Sequence, residues 1–447
     1  MSVRKKSNFS QTRYIVSGFL IIIFIGTLLL MTPLASKNRI ATNFFDCLFT
    51  SVSCTCVTGL AVVDTFSHWS LFGQIVILCL IQIGGLGFIT IGVIFSVLLR
   101  RRIGLKARGL MQESVNLLQI GGIVKLTKRI VRRTFMIEGV AAIILAIRFS
   151  MDFGAAKGIY YGIFHSVSAF CNAGFDLMGV YEPYTSLMPY VYDPIVNTVI
   201  MLLIIIGGIG FIVWDDIAVN KLHFKKYHLH TKVVLVTSFI LIFGGAALFY
   251  IVEYNNTMAD MNVYERVITS LFSSVTARTA GFNTIDTAAL TDASKILTMG
   301  LMFIGGSPGS TAGGIKTTTF FVLLISLWGN MTNSSNVSVF GRRFEEEAIK
   351  KSAIVASLNM ILAIVASFVI LAITDIPISD ILFEVFSAIG TVGMTTGITR
   401  DLNEGARIVI MILMFCGRVG SLSFALSVFK KKKDVKIKNP QEKIALG

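Results

Sequence analysis

The chain has 447 residues, 54% of them hydrophobic and only 15% charged, with a mean hydropathy of +0.75. That balance excludes an ordinary soluble domain and points to a membrane protein. The formal net charge of +15 needs no nucleic acid to explain it, because Lys and Arg of membrane proteins collect in cytoplasmic loops.

Arg4, Lys5, Lys6 and Arg13 precede a first apolar run at residues 14–34. The outline suggests a signal peptide, but the run is too long and lacks a clear cleavage site, so it reads as a spanning helix. About 20 residues cross the hydrocarbon layer, and seven further segments qualify: 70–99, 134–149 (short unless it starts earlier, near Ile130), 193–219, 232–254, 294–328, 352–374 and 406–429. Shorter stretches at 43–57, 157–173, 263–280 and 379–392 have helical apolar spacing but carry Ser, Thr, Asn or Asp. They are too short to cross and read as re-entrant half-helices, each followed by an extended loop. Non-helical backbone at membrane depth is tolerated where it faces protein or water.

The expected fold is therefore an all-α integral membrane protein of four units, each with outer helix, pore half-helix, loop and inner helix, arranged pseudo-fourfold around one pore. The units are 14–99, 134–219, 232–328 and 352–429. They are joined by loops at 100–133 (basic), 220–231 and 329–351, and flanked by an N-terminal segment 1–13 and a basic tail 430–447. Basic residues crowd the joining segments: Arg100, Arg101 and Arg102 in the first, Lys225 and Lys226 in the second, Arg342 and Arg343 in the third, Lys430 to Lys433 in the tail. Acids such as Asp64, Asp176, Asp286 and Asp380 fall on the other side. Both termini are expected to be cytoplasmic, in a plasma membrane. The sequons at Asn330, Asn333 and Asn336 fall on that cytoplasmic side and read as chance.

Each half-helix runs into a polar loop that ends in glycine. The loops contain Val57-Thr58-Gly59, Asn172-Ala173-Gly174, Thr279-Ala280-Gly281 and Thr391-Val392-Gly393, and their glycines recur every 107–115 residues. Glycine lets the backbone turn its carbonyls inward at little steric cost, and a ring of carbonyls replaces the water of a dehydrated cation. The negative C-terminal end of each half-helix dipole favours a cation at the same place.

The inner helices carry a second repeat. Gly84-Gly85-Leu86-Gly87 matches Gly207-Gly208-Ile209-Gly210, which reads as close helix packing. The third inner segment departs from it with Gly305-Gly306-Ser307-Pro308-Gly309-Ser310-Thr311-Ala312-Gly313-Gly314, a run that cannot hold a straight helix. It is expected to break into a loop that constricts the pore. Gly309 to Thr317 approaches a phosphate-loop pattern but has an extra Ile315 before Lys316 and no strand ahead of it. The fourth has Gly417-Arg418. A charge at mid-depth costs at least ~2.5 kcal/mol, so Arg418 is expected to face water, carbonyls or an acid: either a barrier in the pore or an interhelical salt bridge.

Six cysteines show no metal spacing or disulfide framework and read as small buried hydrophobes. The histidines do not cluster, His165 falls on a half-helix, and no paired carboxylates or nucleophile–base set argues for an enzyme. The function expected from the residues is passive cation passage. The alternative is a secondary transporter coupling K⁺ to Na⁺ or H⁺ by alternating access, which usually shows inverted repeats, whereas these four run in one direction.

The motifs N-A-G-F at 172–175, R-T-A-G-F at 278–282 and G-T-V-G-M at 390–394, with the broken third inner helix and Arg418, resemble the membrane subunit of the Trk/Ktr/HKT superfamily of potassium transporters, most of all its bacterial Ktr type. The resemblance covers residues 14–429. It implies K⁺ as the transported ion, with no covalently bound cofactor and Na⁺ as a candidate activator. It also implies a four-glycine selectivity filter, an intramembrane gate made by residues 305–314 and Arg418, a homodimer, and a separate cytosolic ring of nucleotide-binding RCK domains. Gly59, where sodium-selective plant members carry Ser, implies K⁺. Anionic lipid head groups are the expected partners of the basic face.

Overall fold

The computed structural model describes residues 11–87, 123–332 and 338–421, together with Phe424. The basic residues of 100–122, the sequons at Asn333 and Asn336, the far ends of the second and last expected spans, and Lys430 to Lys433 lie outside the described residues.

The structure is built of helices, α1 (Gln11–Leu30), α2 (Phe44–Cys56), α3 (Leu71–Leu86), α4 (Ile123–Phe153), α5 (Ala155–Cys171), α6 (Pro194–Gly208), α7 (Phe211–Asn220), α8 (Leu229–Val252), α9 (Val263–Thr276), α10 (Asp292–Phe303), α11 (Thr317–Met331), α12 (Glu346–Ile373), α13 (Ile378–Gly390) and α14 (Glu404–Val419), with short helical turns between them. A small antiparallel hairpin, Ser338–Val339 with Arg342–Arg343, precedes α12. Local sequence starts many of these helices. Asn43, Ser70, Asp193, Thr291 and Asn403 accept hydrogen bonds from first-turn N–H groups, and Asn262 forms a capping box with Glu265.

Among the described residues α1, α8 and α12 are long and apolar enough to cross a bilayer, and α6 with α7 makes a fourth such segment bent by 96°. Their outward faces are apolar, with Phe243 of α8 51% and Phe368 of α12 72% exposed, as lipid-facing helices require. The four short helices α2, α5, α9 and α13 have 13, 17, 14 and 13 residues. At ~1.5 Å per residue they fall short of a crossing.

Packing runs around the molecule. Helix α3 packs on α2 and α5, α6 on α5 and α9, α10 on α13, and α14 on α13 and back on α2. One core joins Phe19 and Phe49 near the beginning to Ile381 and Met414 near the end.

Several expectations are corrected. The segment expected at 134–149 is the 31-residue α4. Residues 123–133, expected as loop, are its first turns, and Arg129 and Arg133 there pair with Asp215. The stretch 263–280 is helical only to Thr276, because the N–H groups of Thr279 and Ala280 turn back onto the Thr276 carbonyl. The expected span 193–219 is broken. Gly210 has φ +97°, and the Phe211 N–H donates to Gly309 O at 2.7 Å instead of continuing the helix. Gly87 and Gly420 also take positive φ, +80° and +92°, at the ends of α3 and α14. The spaced glycines of these segments thus end or break helices as well as pack them. Among the cysteines Cys79 is exposed and the other five are buried.

The break at Gly210 carries a prediction. A Cβ there lies 2.7 Å from Pro308 O, whereas among the described residues one at Gly87 meets nothing within 4 Å. Both positions are left-handed, a cost of ~1–2 kcal/mol for a side chain. Gly210→Ala is expected to lower the unfolding temperature of the purified protein clearly more than Gly87→Ala; equal shifts would mean that the segment at 305–314 does not hold the bend.

Candidate functional site

The four glycine loops come together. Gly59, Gly174, Gly281 and Gly393 all have positive φ, +96°, +69°, +81° and +92°. A Cβ added to Gly59 would lie 2.6 Å from Ala173 O, at Gly174 2.6 Å from Ala280 O, at Gly281 2.2 Å from Val392 O, and at Gly393 2.1 Å from Thr58 O. Each glycine therefore abuts the carbonyl that precedes the next glycine, and the series closes on itself. Only glycine fits, for conformation and for space.

The half-helices shape these loops. Val57, Asn172 and Thr391 cap α2, α5 and α13 in the left-handed conformation, each returning its N–H to the helix. The next N–H groups do the same: Thr58 to Ser53 O, Ala173 to Ser168 O and Val392 to Ser387 O, each at 2.8 Å. Hydroxyls fasten the turn. Ser53 and Ser387 accept from the N–H of Gly59 and Gly393 at 3.1 Å, while Ser168 and Thr276 donate to the carbonyls of Phe175 and Phe282 at 2.6 and 2.7 Å. Gly174 apart, the N–H groups of these loop residues are thus committed to the helices. These hydroxyls, five or six residues before each glycine, were missed in the sequence reading; their recurrence at that spacing was the available signal.

Glycines of the neighbouring helices permit the close approach. Gly84, Gly207 and Gly417 would each place a Cβ 2.1–2.3 Å from a half-helix carbonyl of Thr55, Phe170 or Ile389.

Between α10 and α11 the chain leaves helical geometry, as expected for residues 305–314. Ser307 and Thr311 donate their N–H groups to Gly208 O and Gly207 O at 2.9 and 3.2 Å, and Gly306 O accepts from Thr317 N. Ser307 and Thr317 hydroxyls pair at 2.9 Å, and Ser310 Oγ donates to Ser307 O. The Thr311 hydroxyl accepts from Asn172 Nδ2 at 3.0 Å and donates to Phe170 O at 3.1 Å. On the other side Gly313 lies against Thr391, where a Cβ would come within 2.0 Å of Oγ1. The segment therefore sits against the second and fourth glycine loops.

Two basic side chains hold it. Arg418 donates to the carbonyls of Thr311, Gly84 and Gly85, the last at 2.9 Å. Gly84 and Gly85 lie in the last turn of α3, and the Gly84 carbonyl also takes the cap N–H of Gly87 at 3.2 Å. Among the described residues Arg418 makes no salt bridge; carbonyls take its charge. Lys316 donates to Ala312 O at 2.7 Å, so its amine is turned onto its own loop, a role the sequence reading missed. At the far end of the second loop, desolvation, with the charge of Asp64 adding, pushes the Asp176 carboxyl up to about 7 against the pull of the Met178 N–H.

A bundle with lipid-suited outer faces, built around converging loops of committed N–H groups, belongs to the class of integral membrane proteins that pass small ions. A family model described as TrkH, cation transport protein, matches residues 6–439, and the chain belongs to that family. It is similar to the potassium/sodium uptake protein NtpJ of Enterococcus hirae, 40% identical over all of this chain (100%) and 99% of that relative. It is also similar to the Ktr system potassium uptake protein B of Bacillus subtilis, 39% identical over 100% of this chain and 98% of that relative. The crystal structure of the potassium transporter TrkH from Vibrio parahaemolyticus superposes with a TM-score of 0.71 over 96% of this chain and 87% of that one. At 18% identity that likeness shows the fold. The Ktr-type resemblance read from the motifs agrees with these relatives, which are transport proteins rather than enzymes.

Proposed function

We propose that this chain carries K⁺ into the cell through one pore framed by four pore-loop units. Val57-Thr58-Gly59, Asn172-Ala173-Gly174, Thr279-Ala280-Gly281 and Thr391-Val392-Gly393 line the selectivity filter, and residues 305–314 with Arg418 form the gate. The closed circuit of four glycines, each against the carbonyl that precedes the next, carries the reading. With the loop N–H groups other than that of Gly174 committed to the half-helices, the carbonyls are left for a dehydrated cation, and the half-helix dipoles add negative potential at the same place. K⁺ as the ion is supported by the names of the relatives from Enterococcus hirae and Bacillus subtilis. Entry is passive and driven by membrane potential, about 2.3 kcal/mol per charge per 100 mV.

The same reading makes the chain the membrane subunit of a homodimer in the plasma membrane, termini inside, bound by a separate cytosolic RCK ring. "Ktr system" in a relative's name supports more than one component. Anionic lipids share the basic cytoplasmic face at roughly 1 kcal/mol per Lys or Arg. Charge reversal at Lys225 and Lys226 is expected to weaken co-purification of that ring in a salt-sensitive way; unchanged co-purification would reduce these charges to topology signals.

The function is tested by Rb⁺ uptake into cells lacking their own potassium uptake systems, with and without competing Na⁺. Expression of the chain is expected to restore uptake that excess Na⁺ inhibits weakly. No uptake from a correctly inserted protein, or uptake abolished by equimolar Na⁺, would overturn the reading.

A further inference from the structure

One buried position recurs behind the glycine loops. Nine residues before Gly393 stands Glu384, and nine before Gly174 stands His165; Thr50 holds that place before Gly59, and Ser273, in the loop that is one residue shorter, precedes Gly281 by eight. All four are buried. In the first unit the Thr50 hydroxyl donates back to Asp46 O within its own helix. The second and fourth units do something different.

There the side chain reaches from the half-helix across to the segment that leaves the loop. His165 donates from Nδ1 to Tyr161 O at 2.8 Å and accepts at Nε2 from the N–H of Leu177, three residues past Gly174, at 3.3 Å. Glu384, 1% exposed, accepts at Oε1 from the hydroxyl of Thr399 at 2.5 Å. Thr399 in turn meets Thr395 Oγ1 at 3.0 Å, and Thr395 Oγ1 accepts from the Gly397 N–H. The carbonyl of Thr395, two residues past Gly393, accepts from Thr287 Oγ1 at 2.5 Å, which links the third and fourth units.

We infer that Glu384 is a positioning residue for ion selection. It fixes the outer end of the fourth glycine loop through Thr399 and Thr395, as His165 fixes the second through Leu177. Units two and four, where these struts stand, are also the two whose loops residues 305–314 touch through Thr311 and Gly313. The glycine loops there are held from both sides, the gate segment on one and the strut on the other.

A carboxylate built only to satisfy donors looks different. Glu253, fully buried, takes five hydrogen bonds, from Asn256, from the N–H and hydroxyl of Thr257 and from the N–H and hydroxyl of Thr291, and so joins the end of α8 to the start of α10. Glu384 Oε2 meets no donor among the described residues. Its function rests in the one oxygen that Thr399 holds.

The inference rests on the glycine loops being the filter, and the test separates the two claims. Purified protein is placed in liposomes at a set potential, and Rb⁺ and Na⁺ fluxes are measured for wild type, Glu384→Ala, Glu384→Gln, Thr399→Val and Gly393→Ser. Glu384→Ala and Thr399→Val are expected to lower the Rb⁺/Na⁺ preference about tenfold (~1.4 kcal/mol). Glu384→Gln keeps the Oε1 acceptor and is expected to hold the preference within about twofold of wild type. Wild-type preference in both Glu384→Ala and Thr399→Val, with preference lost in Gly393→Ser, overturns the strut and leaves the filter standing. Wild-type preference in Gly393→Ser as well overturns the filter reading itself. Loss in Glu384→Gln equal to that in Glu384→Ala also overturns the strut, because charge rather than the hydrogen bond would then be acting. Should Glu384→Ala fail to fold, Thr399→Val decides.

Discussion

Gly281→Ser is expected to weaken Rb⁺ affinity about tenfold or more and to let Na⁺ compete, while the protein still inserts. The site is tight on two counts. The backbone is left-handed, φ +81°, which costs an L-residue ~1–2 kcal/mol. A Cβ would also stand 2.2 Å from Val392 O and 3.2 Å from Gly393 Cα. That oxygen is held by the rest of its loop, through the Val392 N–H on Ser387 O and the Gly393 N–H on Ser387 Oγ. It must move, and with it the carbonyl cage that we propose replaces water around the ion. Elements remote from the loop, such as α1 and α12, have no part in the contact, so insertion is preserved. Competition of Na⁺ with Rb⁺ uptake measures the effect. Unchanged affinity and competition would take Gly281 out of the filter.

Arg418→Gln is expected to raise maximal Rb⁺ flux per folded molecule about tenfold while leaving affinity nearly unchanged. Hydrogen bonds from a charged donor are worth ~1.5–3 kcal/mol each, and loss of one that pins a two-state segment shifts its population by about that factor. Arg418 ties Thr311 of the broken segment to Gly84 and Gly85 at the end of α3. Gln loses the charge and most of the donors, so the segment is freed. It strands no carboxylate, because among the described residues none pairs with Arg418, and the amount of folded protein should hold. Lys316 remains on Ala312 O, which keeps the loop itself folded. Flux in liposomes, normalised to folded protein, checks this; no change or a fall would end the gate assignment for Arg418.

What the sequence disclosed depended on how local its cause was. The four glycine loops were legible because the positive-φ requirement falls on one residue type at a regular spacing. The broken segment at 305–314 was legible from its own composition. The bend at Gly210 was not. Gly207-Gly208-Ile209-Gly210 reads as helix packing, and the N–H of Phe211 leaves the helix only because Gly309 O, about a hundred residues on, offers an acceptor. The end of α9 was overshot for a similar reason, since the turn after Thr276 depends on where Phe282 must go. A charge at Arg418 calls for water, carbonyls or an acid, and among the described residues carbonyls are its partners. In the sequence Lys316 stands out only as part of a near phosphate-loop pattern. Glu384 does not stand out in the sequence, because an acid on an apolar half-helix that also carries Asp380 shows nothing until Thr399 folds back onto it.

The central claim, passive and selective passage, is tested most directly by Rb⁺ flux through the purified chain in liposomes at a series of imposed potentials. Net flux is expected to reverse at the Rb⁺ equilibrium potential and to stay there when a Na⁺ or H⁺ gradient is added. A reversal that moves with either added gradient would contradict the claim, through coupling to that ion or through its passage alongside Rb⁺.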